Sequence, residues 1–181
     1  MSKIIYYVAA SQDGYIATTD HQLDWLENFP QAEDATPYET FYQTIGAVVM
    51  GAETYRWIMT HSAHHWPYSQ IPAFVISSHA LIIPEDLNIT QITDDAGAVA
   101  ERARLAAKGK DVWLVGGGKT AAWFADAGEL QQLFITTIPV FLGQGIEILP
   151  VKQTISTLPH SSRVLSNGAT ENVINLLPTR Q

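Results

Sequence analysis

The chain has 181 residues with 46 % hydrophobic content, carries 10 Lys and Arg against 18 Asp and Glu, and contains no cysteine. That length and apolar content predict one ordered domain, 1–181, with a sizeable core, and exclude a disordered chain. The missing cysteines exclude a disulfide scaffold and any thiolate metal site, and the net charge of −8 argues against nucleic acid as the main partner.

In chain order, Lys3–Ala10 is rich in β-branched and aromatic residues and predicts a buried first strand. It is too short for a membrane span, and no targeting segment precedes it, so a cytoplasmic protein without a membrane partner is expected. Ser11–Ile16 predicts a turn and a short extended piece. Residues 17–35 predict a long polar loop broken by Trp25-Leu26, of a length that is often functional. Thr36-Pro37-Tyr38-Glu39 fits a capping box: Thr36 as N-cap, Pro37 at the first helical position and Glu39 at the third, with the helix running to about Thr44.

Ala47–Met50 predicts a short strand ended by Gly51, with a helix over Thr54–Met59 after it. Strands follow at Pro72–Ile76 and Asn88–Ile92. A helix capped by Asp94 or Asp95 then runs to Lys108 and stops at Gly109. Asp111–Val115 predicts another buried strand, then Gly116-Gly117-Gly118 and a helix to Asp126. A long strand is expected over Leu133–Phe141. Asn167-Gly168 between apolar runs predicts a hairpin of Arg163–Ser166 with Thr170–Leu176. The order predicts an α/β fold with a mostly parallel sheet ending in an antiparallel hairpin.

Three strands end in small residues before a helix or turn: at Gly51–Thr54, at Ser77-Ser78, and at Gly116–Thr120. In a parallel sheet such ends share one edge, where ligands bind, and exposed helix amides there attract phosphate. Together they point to a phosphorylated ligand lying across that edge. Two motif matches fail. Gly118-Lys119-Thr120 lacks the P-loop glycine five residues earlier, where Trp113 stands, and the loose dinucleotide fingerprint from Gly116 lacks its later acidic residue. His61, His64 and His65 cluster, but read as loop histidines rather than metal ligands, so no metal is expected. Ser77-Ser78-His79 sets a hydroxyl beside an imidazole without a nucleophile elbow, so hydrolase chemistry is not expected. Trp25 suits either a wall for a flat heterocycle or a loop anchor.

The ordered motifs resemble the dihydrofolate-reductase-like superfamily, especially stand-alone proteins similar to the C-terminal reductase domain of the bifunctional riboflavin-biosynthesis deaminase–reductase. The resemblance covers about Ile4 to Leu177. It rests on Ala10–Ile16, Asp24-Trp25-Leu26, Val49-Met50-Gly51 with Thr54-Tyr55, Val75–Ser78, Val115–Gly118 and Ile138–Gly143 with Gly145. It implies a three-layer α/β/α fold, a homodimer, and an NADPH-dependent reductase, with NADH as the alternative cofactor. The implied substrate is a pyrimidine or pterin-like heterocycle, as for 5-amino-6-(5-phosphoribosylamino)uracil reductase. Dihydrofolate reduction and non-catalytic nucleotide binding are the alternatives.

By this resemblance Gly51, Thr54, Arg56, Ser77, Ser78, Gly116, Gly117, Gly118, Lys119 and Thr120 hold the cofactor. Ser11, Asp13, Trp25 and Glu39 border the substrate, and Asp13 is the catalytic candidate. The chain departs from the family in carrying Ala52 and Glu53 where a basic pair often stands near the 2′-phosphate. Charge sharpens that departure. Residues 1–90 hold two basic residues, Lys3 and Arg56, against ten acidic ones, whereas 91–181 hold eight of each sign. Backbone amides, Arg56 and Lys119 must therefore neutralise the phosphates.

Overall fold

The computed structural model describes residues 2–62 and 65–178. Among the described residues, ten strands and five helices follow one another as β1 (Ile4–Ser11), β2 (Tyr15–Ala17), α1 (Asp24–Glu27), α2 (Tyr38–Tyr42), β3 (Ile45–Gly51), α3 (Ala52–His61), β4 (Ala73–Ile76), β5 (Ile89–Ile92), α4 (Ala96–Ala106), β6 (Asp111–Gly116), α5 (Gly118–Asp126), β7 (Gln132–Ile138), β8 (Ile146–Glu147), β9 (Thr157–Val164) and β10 (Thr170–Leu176). Eight strands form one sheet in the order β5-β4-β3-β6-β1-β7-β10-β9. All neighbours from β5 through β7 are parallel, and β10 and β9 add antiparallel at the far edge.

Packing on both faces accounts for the apolar strands. Every residue of β3 is buried, as a central parallel strand covered on two sides requires. One face packs Ile4, Tyr6, Val49 and Leu114 against α4 and α5; the other packs Ile5, Val48, Met50 and Trp113 against α2 and α3. The buried stripe of α4 is Ala96, Val99, Ala100 and Ala103, at helical spacing and mostly small, so this helix lies close to the sheet. Closeness continues past its end: a Cβ at Gly46 of β3 would run into the Ala107 carbonyl. Asp95, not Asp94, caps α4, accepting the Ala98 N–H at 2.9 Å. The helix ends two residues before Lys108, which with Gly109 turns the chain through positive φ.

Several expectations are corrected. The capping box at Thr36 does not form. Pro37 is the N-cap of α2, with no side-chain cap, and the helix ends at Tyr42. Thr36 instead gives its N–H and hydroxyl to the two carboxylate oxygens of Glu171, both at 2.9 Å, because this carboxylate is buried on β10 and needs donors. β3 is longer than expected at both ends, and α3 starts directly after Gly51. The strand expected to reach Phe141 stops at Ile138, since Pro139 has no N–H for a ladder. Val140 then accepts the Gln12 N–H. The 17–35 loop contains the short helix α1.

The hairpin forms around Asn167-Gly168, where the Leu165 and Ala169 backbones bond and Gly168 sits at φ +88°. Its first strand, β9, begins earlier than expected, at Thr157. His64 lies outside the described residues. His61 bonds the Trp57 carbonyl through Nδ1 and stacks on that indole. Among the described residues no cluster of His, Asp or Glu could hold a metal, and no helix is long and apolar enough to cross a membrane.

Candidate functional site

Register brings the three turns together. Gly51 pairs with Ile76 across β3–β4, and Met50 pairs with Gly116 across β3–β6, so all three strand ends stand side by side. Two helices start there. Gly51 is the N-cap of α3 and Gly117 that of α5, and neither helix has a side-chain cap. In α4 a carboxylate fills that role. The first-turn amides of α3 and α5 thus present partial positive charge with no side-chain acceptor of their own. The Gly116–Gly117 peptide is cis.

Both helix starts open into one cleft of about 370 Å³. Gly51, Thr54 and Trp57 line one side, and Gly117, Lys119 and Thr120 the other. Ile16, Ala17, His21, Leu23 and Ile146 close over it. The β2–β8 ribbon forms that cover through the pairs Tyr15–Glu147 and Ala17–Ile146. It sits so tightly on α5 that a Cβ at Gly118 would strike the Glu147 carbonyl. An adjoining hollow of about 400 Å³ shares Ala52 with the cleft and contains Arg56, Ser78, His79, Asp94 and Trp123. A third hollow, of about 530 Å³ beside Leu149 and Leu176, is larger but carries one ionisable side chain, Lys152, and is not lined by any of the three turns.

The structure therefore gathers Gly51, Thr54, Gly117, Gly118, Lys119 and Thr120 in the cleft, and Arg56, Ser77 and Ser78 in the hollow beside it. Gly116 ends β6 directly below. Ser77 is committed to its own turn. Its hydroxyl donates to the His79 carbonyl at 2.7 Å and accepts the His79 N–H at 3.1 Å, so it meets the backbone and not the imidazole. Gln91 clamps this turn from β5, donating to the Ser77 and His79 carbonyls and accepting the Leu81 N–H. Ser78 remains exposed.

Ser11, Asp13, Trp25 and Glu39 are not brought to the cleft. Ser11 is buried; its hydroxyl accepts the Tyr15 N–H and donates to Asp13 at 2.6 Å. Asp13 also accepts the N–H groups of Leu142 and Gly143, at 3.1 and 2.8 Å. These donors, the Ser11 hydroxyl foremost, hold its carboxyl below the ordinary value of 3.8. A carboxylate so engaged is an anionic staple between two loops, poorly suited to donate a proton. Trp25 packs with Ile138, Leu165 and Ala169 at the hairpin turn and anchors the loop. Glu39 is exposed on the first turn of α2.

The Asp13 staple has a pH signature. Its lowered pKa makes its contribution fully present above about pH 4 and lost as pH falls through the folded value. Asp13→Ala is expected to melt earlier than the parent at pH 7, with the difference closing in strong acid. Paired thermal melts from pH 7 to pH 2 check this, and a constant difference would refute it.

Sequence reading missed His21, Trp57, His79, Asp94 and Trp123 as wall residues. Helical spacing held a signal for two of them: Trp57 lies three residues beyond Thr54, and Trp123 four beyond Lys119, on the same helix faces. Tyrosines packed on the α2–α3 face of the sheet are held in the phenol form. Burial, then Tyr42, Tyr7 and Glu39, pushes Tyr38 up to about 12, and burial raises Tyr7, Tyr55 and Tyr68 as well.

Comparison with known proteins fits this geometry. The profile of the RibD C-terminal domain matches residues 2–169. The chain belongs to that family. YwjB of Bacillus subtilis (strain 168), itself uncharacterized, is 32 % identical over 146 residues, covering 81 % of this chain and 82 % of YwjB. A protein from Shewanella sp. PV-4 named for riboflavin biosynthesis superposes with a TM-score of 0.82 at 26 % identity, covering 98 % of this chain and 99 % of that one. Dihydrofolate reductase from Enterococcus faecalis, solved with NADP(H), superposes with a TM-score of 0.58 at 14 % identity, with 96 % of each chain covered. That likeness shows the fold: like the reductase, this RibD C-terminal domain relative is an α/β protein built on a mostly parallel sheet.

Proposed function

We propose that the chain is a nicotinamide-dinucleotide-dependent reductase acting on a pyrimidine-type heterocycle, similar to 5-amino-6-(5-phosphoribosylamino)uracil reductase. The observation that carries this reading is the pair of helix starts without side-chain caps, α3 and α5, facing each other across one cleft. Two such ends side by side suit the two phosphates of a dinucleotide. Membership of the RibD C-terminal domain family supports an oxidoreductase role.

The donor set fits the cofactor. First-turn amides of both helices and the Thr54 and Thr120 hydroxyls offer hydrogen bonds to a pyrophosphate, and Lys119 offers the positive charge that offsets Glu53, which lines the same cleft. Arg56 and Ser78, in the adjoining hollow, would receive a 2′-phosphate, which supports NADPH as the first choice. The dinucleotide, when bound, supplies a hydride. The chain's own work is binding, orientation and exclusion of water, with Ile16, Leu23 and Trp57 supplying apolar wall to the cleft. His21 lines the same cleft and can hydrogen-bond a substrate there.

Titration with NADPH, followed by energy transfer from the chain's tryptophans to the nicotinamide, tests this reading. Micromolar-range binding is expected, about −8 kcal/mol. Lys119→Met should weaken it by about three- to tenfold. No binding at millimolar NADPH would sink the proposal. The Asp13 staple and the outward Glu39 favour one second reading: a nucleotide-binding protein that does not catalyse. It predicts bound NADPH that is not oxidised with dihydrofolate or with the aminopyrimidine ribosyl phosphate.

A further inference from the structure

The hollow beside the cleft carries conflicting charges. Arg56, on α3, is its fixed cation, and His79 stands next to Ser78. Asp94 faces them from the loop between β5 and α4. Arg102 on α4 approaches Asp94 only to 3.8 Å, with both side chains about half exposed (50 % and 53 %). At that distance and exposure the pair is weak, so Arg102 offsets the Asp94 charge only in part. It has no capping duty either, since Asp95 caps α4. A half-exposed carboxylate is thus left at the end of a strand, opposite the residues that would receive the 2′ position of an adenosine ribose.

We propose that Asp94 sets the cofactor selectivity of this chain, opposing a 2′-phosphate while accepting a 2′-hydroxyl, so that NADPH and NADH both bind. The inference rests on the reductase reading above. A 2′-phosphate placed here meets Arg56 and Ser78 on one side and a carboxylate on the other, and loses by Coulomb repulsion much of what Arg56 contributes. A 2′-hydroxyl instead can donate a hydrogen bond to the same carboxylate, as acidic residues do at strand ends in other dinucleotide sites. Trp123, partly exposed in the same hollow, can pack against the adenine of either cofactor. Ser77 takes no part, being locked in its turn.

The test is the dissociation constant of the full chain for NADPH and for NADH, measured by fluorescence energy transfer and by calorimetry. The variants are Asp94→Asn and Arg56→Gln. Asp94→Asn should tighten NADPH by about three- to tenfold and leave NADH within about twofold. Arg56→Gln should weaken NADPH by a similar factor with NADH unmoved. Raising the salt should shrink both effects, because the groups are exposed. Thermal melts establish that each variant is folded. An unchanged NADPH-to-NADH ratio in Asp94→Asn overturns the selectivity role and leaves the reductase reading standing. Failure of the parent chain to bind either dinucleotide overturns both.

Discussion

Gly118→Ala is expected to loosen the fold and impair dinucleotide binding together. The added Cβ would strike the Glu147 carbonyl and crowd that of Ile148, and neither backbone group can rotate aside as a side chain would. Either α5 withdraws from β8 or the β2–β8 ribbon lifts. Overpacking of this kind costs about 1–3 kcal/mol. Its functional cost is larger, because α5 presents Lys119 and Thr120 while the ribbon carries Ile16, Ala17 and Ile146 over the same cleft. Urea midpoints and NADPH titrations check the two effects on one preparation. A variant matching the parent in both would show that the ribbon does not rest on α5.

The second large effect belongs to Arg163. Glu171 is a carboxylate with a side chain 8 % exposed, held by Arg163 and by two groups of Thr36. Arg163 itself is 47 % exposed. The pair is therefore asymmetric. Arg163→Met leaves a buried charge with the Thr36 donors alone, and should cost about 2–4 kcal/mol. Glu171→Gln keeps an acceptor for Thr36 and frees Arg163 to turn to water, so it should cost less, about 1–2 kcal/mol. Denaturant midpoints order the two variants, and the reverse order would refute the argument. Thr36 also leads directly into α2, whose Tyr38 and Phe41 pack with Tyr7 and Trp113. Loss of near-ultraviolet circular dichroism should therefore accompany the Arg163 variant.

The same contact shows where the sequence can and cannot be read. Gly51 and the Gly116–Gly118 run were legible because small residues after apolar strands have a local cause: a tight turn beneath a helix start. Asn167-Gly168 was legible for a similar reason, since the turn conformation depends on those two residues. Thr36 was misread because two local rules agreed on a cap while the deciding partner, Glu171, is 135 residues away. Asp13 and Ser11 misled in the same manner. The family resemblance assigns them to the substrate, yet the backbone groups that engage Asp13, those of Leu142 and Gly143, lie in a distant loop. Asp94 and Trp123 were not read as neighbours of Arg56 because only the folded sheet brings the end of β5 and α5 to the same hollow.

The position of β1 has a consequence for how the chain acquires its shape. This strand comes first in sequence order but sits in the middle of the sheet, between β6 and β7. Its partners, Val112 to Leu114 and Gln132 to Ile138, are more than a hundred residues downstream. During synthesis the β1 segment emerges with both edges and both apolar faces unpartnered, and waits there until β6 and β7 have been made. The β3–β4–β5 segment can pair within itself far earlier. On the ribosome, the centre of this sheet is among its last parts to close.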